Sequence, residues 1–254
     1  VVEDVAHQHG SRWRDRGAGA IGDVGSFSFQ QSKVLTSGEG GGITCNDESV
    51  YDIIFSLKQV GWSPQMEPAG HYGHNYRITE MQCVLLRGGL TRIEQQTAIR
   101  ERNALAIAEG LERIGGPLRA ARRDERVTRQ AYYGMTLHFD PAQAGGLDRG
   151  QYFAALAAEG LGLAAPYAPV YRNRLLNLYD STSPVPYRDP AAAQDYAQLK
   201  LPVVERVCEQ TGAILMHNHL LAEPEYIAQL LSAVEKVNAG LDRAREHFAA
   251  QAAQ

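Results

Sequence analysis

Small polar and aromatic residues alternate in the stretch SFSF, residues 26–29, the pattern of a half-buried strand whose successive side chains face opposite ways. Residues 1–6, 23–30 and 41–46 read as three short strands, the first and third rich in Val, Ile or Thr. ESVYDIIFSLKQVG, from residue 48, changes to helical spacing and ends at Gly61. Residues 62–75, with Pro64, Pro68 and several glycines, read as loop. A long helical pattern then runs from about Ile78 to Ile114. Gly88 and Gly89 interrupt it, each at a cost of roughly 1 kcal/mol relative to Ala, so a bend or a close packing contact is expected there.

GGPL at 115–118 makes a domain boundary, giving units of 1–115 and 116–254. Beyond it come an arginine-rich, hairpin-like region with a solvated RDERVTR run, then the strand-like AYYGMTLHF. Helices are expected over DRGQYFAALAAEGL and AQLKLPVVERVCEQTG, the latter starting at Pro202, because proline is tolerated in a first turn and not inside. AILMHNHLL reads as a strand, EPEYIAQLLSAVEKVNAG as an amphipathic helix, and 240–254 as an Ala-rich helix or frayed tail. The mixture predicts an α/β unit followed by a smaller α+β unit.

Composition narrows the function classes. The net charge of −4, without a long basic run, argues against a nucleic-acid partner. No apolar stretch has the length of a membrane span. Cys45, Cys83 and Cys208 lack CxxC spacing and cannot all pair, which makes the reducing cytoplasm the simplest setting. The chain opens on a β-branched strand without Met, as if inside a domain, so a missing N-terminal portion is expected.

Chemistry concentrates around Lys33, on a turn between a strand and the glycines of GEGGG. A phosphate-cradling loop would place its glycines before the lysine, so that reading is rejected. A Schiff-base lysine for pyridoxal phosphate is the alternative to a solvated surface lysine. Such a cofactor needs a carboxylate opposite its pyridine nitrogen, which Asp4 could supply, and hydroxyls for its phosphate, of which Ser28 is one. His7 with His9, His71 with His74, and His217 with His219 could be read as metal-ligand pairs, but no Cys or carboxylate pattern completes a site. Tyr132 and Tyr133 read as core or pocket wall.

Together EDVAHQHG, GDVGSFSFQQSKVLTSGEGGG and GHNYRITEMQ resemble, in order and approximate spacing, the DegT-type sugar aminotransferases, over essentially the whole chain. The resemblance implies a fold-type I pyridoxal-phosphate transferase. Its large domain has a mostly parallel sheet, of which this chain holds the second half, and a small α+β C-terminal domain follows. Lys33 would carry the cofactor and shuttle the proton, and Asp4 would hold the pyridinium nitrogen. His7 would lie by the phenolic oxygen or the ring, and Ser28 would bind the phosphate. Asn75 would reach the phosphate of a neighbouring subunit's cofactor, implying a homodimer with shared sites. Arg77 is a candidate anion or structural contact. Lysine, where related 3-dehydratases carry histidine, favours transamination.

SFQQSKVLTSGEGG and TRIEQQTAIRERNA are most similar to the branch that aminates ketocyclitols with L-glutamine, acting on scyllo-inosose or 2-deoxy-scyllo-inosose. The 3-amino-5-hydroxybenzoate synthases lie close by. HNHLL at 217–221 fits that branch, whereas RGGL at 87–90 departs from the family's usual AQL. The implied activity moves an amino group from L-glutamine or glutamate to a ketocyclitol or keto-sugar. Alternatives are a 3-amino-5-hydroxybenzoate synthase-like or sugar-nucleotide enzyme, or a noncatalytic relative or inert fragment.

Overall fold

In the computed structural model the described residues are 1–63, 72–176 and 195–252. Pro64, Pro68 and His71 of the expected loop lie outside them. The chain forms two compact units, and neither is one continuous stretch. The first comprises Val1–Leu105, Arg122–Tyr133 and His217–Ala222, the second Ala106–Ala121, Gly134–Met216 and Glu223–Gln254.

The first unit opens with β1 (Val2–Asp4), β2 (Arg12–Trp13), β3 (Arg16–Gly17), β4 (Val24–Ser28) and β5 (Gly41–Cys45). Helix α1 (Glu48–Lys58) follows, capped by the Asp47 carboxylate, which accepts from the Ser49 and Val50 N–H groups. The 35-residue α2 (Glu80–Ile114) then continues into the second unit. Strands β1 and β4 pair in parallel and β4 and β5 antiparallel, giving the order β1-β4-β5. Glu3 closes the loop between β1 and β4, its carboxylate accepting N–H groups from Gly19 (2.9 Å), Ile21 (2.7 Å) and Gly22 (2.7 Å). Burial would raise its pKa, but these three donors win and hold it below the ordinary carboxylate value.

After α2 comes β6 (Leu118–Ala120), and the chain re-enters the first unit as β7 (Val127–Arg129). The expected Arg-rich hairpin is not there: β6 pairs in the second unit with β8 (Gly134–Phe139), while β7 pairs with β2. Nor is RDERVTR wholly a solvated face. Arg123 bonds the Glu101 carboxylate at 2.7 Å, and Arg129, only 17% exposed, bonds Glu94 at 2.5 Å. Their partners lie on α2, out of reach of any local reading.

The polar face of α2 organises the first unit. Arg100, fully buried, donates through Nε to the Ala131 carbonyl (2.7 Å) and through Nη2 to Thr97 Oγ1 (3.1 Å). Asn103 donates to the carbonyls of Leu220 (2.9 Å) and Ala222 (2.8 Å). Glu101 accepts the Gln130 N–H at 3.0 Å. Segments 122–133 and 217–222 have little ladder of their own to satisfy their backbone, and α2 supplies the partners. At Gly89 the helix is notched: an added Cβ would stand 2.5 Å from Leu35 Cδ1, whereas at Gly88 nothing among the described residues lies within 4 Å. Of the two expectations for this glycine pair, a close packing contact is the one found at Gly89.

The second unit has an ordinary apolar core. Met135, Leu137 and Phe139 alternate inward along β8 at 3%, 2% and 0% exposure, each burial contributing about 1.5–3 kcal/mol. Around them stand α3 (Arg149–Ala158), with a capping box from Asp148 and Gln151, and α4 (Pro202–Arg206), which Pro202 starts before it loosens into a π turn over Val207–Thr211. Strand β9 (Gly212–Met216) pairs with β8, giving the order β6-β8-β9. Helix α5 (Pro224–Ala239) buries Ile227, Leu230, Val234 and Val237, and α6 (Leu241–Ala252) follows. Tyr152 Oη donates to Asn238 Oδ1 at 2.8 Å while Asn238 Nδ2 donates to the Gly115 carbonyl at 3.0 Å, fixing the turn that ends α2.

Candidate active site

Strand β4 ends at Ser28, and the chain turns at once. The Lys33 N–H donates to the Gln30 carbonyl (3.0 Å), and the Ser37 N–H returns to the Phe29 carbonyl (3.0 Å). Gly38 and Gly40 take φ values of 85° and 134°, a region where a side chain would be strained, and so steer the chain into β5. Leu35, 7% exposed, anchors this turn in the Gly89 notch. Lys33 thus sits half-buried on a fastened loop. Its Nζ lies 4.8 Å from the Tyr133 ring centroid, and no carboxylate pairs with it among the described residues.

His7 is stacked on the same tyrosine, centroids 3.9 Å apart and planes 11° from parallel. Burial lowers the His7 pKa, the Lys33 ammonium lowers it further, and the Asp4 carboxylate opposes both. Asp4, His7 and Lys33 therefore share one electrostatic neighbourhood. Asp4 stands exposed at the end of β1, its Oδ1 accepting the Ala6 N–H at 3.0 Å. Ser28 Oγ accepts a weak bond from the Gln30 N–H at 3.4 Å, leaving its hydroxyl proton uncommitted in that contact.

Asn75 is placed differently. It forms an isolated bridge with Gln59, beyond α1, with its side chain exposed, and no hydrogen bond or ion pair joins it to Lys33 among the described residues. Arg77 is also exposed, in the segment leading into α2. A pocket of about 680 Å³ lies in the first unit against Phe27, Ile43, Tyr51, Phe55, Tyr76 and Ile78, and Lys33, Asp4 and His7 are not part of its wall. Among the described residues no cluster of three or more His, Cys, Asp or Glu could hold a metal ion, and no helix is long and apolar enough to cross a membrane.

Two participants escaped the sequence. Tyr133, read there as core or pocket wall, meets both His7 and Lys33, and its hydroxyl lies 3.1 Å from Ser32 Oγ. His217, read there as half of a metal-ligand pair, places Nε2 3.0 Å from the Ser32 carbonyl. The local signals were an aromatic pair just before a strand, and a histidine just after one that opens HNHLL.

The arrangement has relatives. A family model described as the DegT/DnrJ/EryC1/StrS aminotransferase family matches residues 1–228. A protein of Streptoalloteichus tenebrarius, named as a candidate L-glutamine:3-amino-2,3-dideoxy-scyllo-inosose aminotransferase, is 34% identical over 253 residues, 96% of this chain and 60% of its own length. The L-glutamine:2-deoxy-scyllo-inosose aminotransferase of Micromonospora echinospora is 31% identical over 250 residues, 93% of this chain and 58% of its own. The X-ray structure of the aminotransferase from Psychrobacter cryohalolentis superposes with a TM-score of 0.76 at 26% identity, covering 95% of this chain and 62% of that one. The chain spans about 60% of the length of the curated relatives it matches. With its lysine turn, its strand-end aspartate and a match running from residue 1 to residue 228, the chain belongs to the DegT/DnrJ/EryC1/StrS aminotransferase family.

Proposed function

We propose that this protein is a pyridoxal-phosphate-dependent aminotransferase that moves an amino group from L-glutamine or glutamate to a ketocyclitol or keto-sugar, acting as a homodimer. The observation that carries the reading is the Lys33 amine, half-buried on a fastened turn without a carboxylate partner among the described residues, in the same field as Asp4 and His7. An ion-paired lysine would be a poor nucleophile, and among the described residues this one lies against an aromatic face instead. The names of the relatives support the donor and acceptor classes.

The residues present fit that cofactor. Asp4 offers an exposed carboxylate to a protonated ring nitrogen, a charge-assisted contact. Burial and the Lys33 charge keep His7 neutral near pH 7, so it serves as hydrogen-bond partner rather than counter-charge. Ser28 offers a hydroxyl to the phosphate, and the exposed Asn75 is free to serve the phosphate of a partner subunit. When bound, pyridoxal phosphate supplies a carbonyl that takes up amines and a ring that accepts the electron pair left on a deprotonated carbon. Lys33 would hold the cofactor, and its Nζ would be the group placed to move a proton. The overall exchange balances: the donor carbon loses its amino group and is oxidised to a ketone, and the acceptor ketone is reduced as it gains one.

The test is the visible absorption of the purified protein with added pyridoxal phosphate, before and after L-glutamine, with borohydride trapping and peptide mapping. We expect a band that glutamine converts and a label on Lys33. Lys33→Ala loses band and label, and Asp4→Ala keeps the label but slows conversion at least about tenfold, as loss of a charge-assisted contact implies. No band and no label in the unsubstituted protein would refute the proposal.

A further inference from the structure

Ser32, the residue before Lys33, has every polar group engaged. Its N–H and its hydroxyl both meet Gln30 Oε1, at 2.8 and 2.7 Å. Its hydroxyl proton is thereby used, so across the 3.1 Å to Tyr133 the tyrosine O–H donates and Ser32 Oγ accepts. Its carbonyl can only accept, so His217 Nε2, at 3.0 Å, carries the proton. Burial lowers the His217 pKa, which leaves a neutral ring with Nδ1 bare, and that nitrogen is buried and without a hydrogen-bond partner among the described residues. Tyr133 and His217 thus grip one residue from two sides, and the next residue is the lysine.

The backbone around Tyr133 is set with some strain. Tyr132 has a φ of 52°, a left-handed conformation that a non-glycine residue adopts at a cost on the order of 1 kcal/mol. Arg100 Nε holds the Ala131 carbonyl on one side of it, and the His217 N–H donates to the Tyr133 carbonyl (3.1 Å) on the other. The strained residue delivers the Tyr133 ring to His7 and to Lys33 Nζ, and the ring stays half-exposed, so burial is not what fixes it there.

We infer that Tyr133 and His217 are positioning residues for Lys33. Tyr133 holds the ammonium on its ring face and the turn by its hydroxyl, while His217 holds the turn by its carbonyl. The ring's attraction acts on the charged amine and gives the ammonium a resting place against the Tyr133 face. The consequence for cofactor capture rests on the function proposed above, but the grip on the amine does not.

The experiment therefore reads both. In the cofactor-free protein, reductive methylation by formaldehyde with cyanoborohydride is followed at the Lys33 peptide by mass spectrometry, with exposed Lys200 as the internal reference. Capture of pyridoxal phosphate is followed separately by absorption, and folding by thermal melting. Tyr133→Leu should raise Lys33 methylation about three- to fivefold, the size of an exposed cation–π contact, and slow capture about five- to tenfold. Tyr133→Phe keeps the ring, so its methylation should match the unsubstituted protein while capture slows about two- to threefold. His217→Leu should slow capture by a similar factor without altering methylation. Equal methylation and equal capture in all four proteins would overturn the inference, as would a loss of melting cooperativity that accounts for every change. Absence of capture in the unsubstituted protein, with the methylation pattern as stated, would overturn the proposed function and uphold the grip.

Discussion

His9 is 2% exposed, and neither ring nitrogen makes a hydrogen bond within standard geometry among the described residues. Phe27 and Phe29 lie beside it, at centroid distances of 5.7 and 6.0 Å. Burial lowers its pKa from 6.5; the nearby Ser28 backbone opposes, and the charges of Lys33, His7 and Arg100 lower it further. The unfolded chain therefore binds a proton more readily than the folded one. The stability His9 allows is complete above about pH 6.5 and is lost as pH falls from there through the depressed folded value. His7, His217 and His219 shift the same way, so the melting temperature should fall as pH is lowered from about 8 to about 5. His9→Leu should make that fall shallower, and parallel curves for the two proteins would count against this account. Arg100 adds a second strain on the same core, its pKa lowered to about 10 by burial and by Arg129. None of this was legible in the sequence, where His9 looked like half of a ligand pair, because its ring neighbours Phe27 and Phe29 reach it only through the fold.

At the scale of elements, most regular structure was readable and the polar pinning was not. The three strand-like stretches became β1, β4 and β5, helical spacing became α1, α2, α3 and α5, and Pro202 and Pro224 sit in first turns as proline should. β2 and β3 have two residues each, too short to carry any period, and β7 found its partner over a hundred positions away in β2. The departure RGGL in α2 now has a cause for one of its glycines. Gly88→Ala, in open space, should stabilise the protein by about 1 kcal/mol, the ordinary propensity gain. Gly89→Ala should lose that gain and more, since its Cβ must push Leu35 out of the notch that anchors the lysine turn. Paired thermal melts decide it, and equal stabilisation by both substitutions would contradict the notch. Gly89→Ala should also slow cofactor capture, which Gly88→Ala should not.

At the scale of the molecule, the candidate site and the bulk core belong to different units. Asp4, His7, Ser28, Lys33, Tyr133 and His217 all fall in the first, which has a polar interior, and the well-packed β6-β8-β9 sheet falls in the second. In the second, Arg245 bonds the Gly145 carbonyl at 3.0 Å, and Leu241 Cβ lies 3.1 Å from where a Gly145 Cβ would stand, so α6 covers that turn. Deleting 241–254 should cost about 1–3 kcal/mol of stability while leaving Lys33 its rate of cofactor capture, and a matching loss of capture would show that the site leans on this helix. The Ser32–His217 bond joins residues 185 positions apart, and the two Asn103 bonds span 117 and 119. Loops of that length are closed late and slowly. On the ribosome, then, the lysine turn emerges well before its second clamp, which follows Ser32 by 185 positions. A nascent chain stalled before His217 would carry the lysine turn without the hydrogen bond that ties Ser32 to His217.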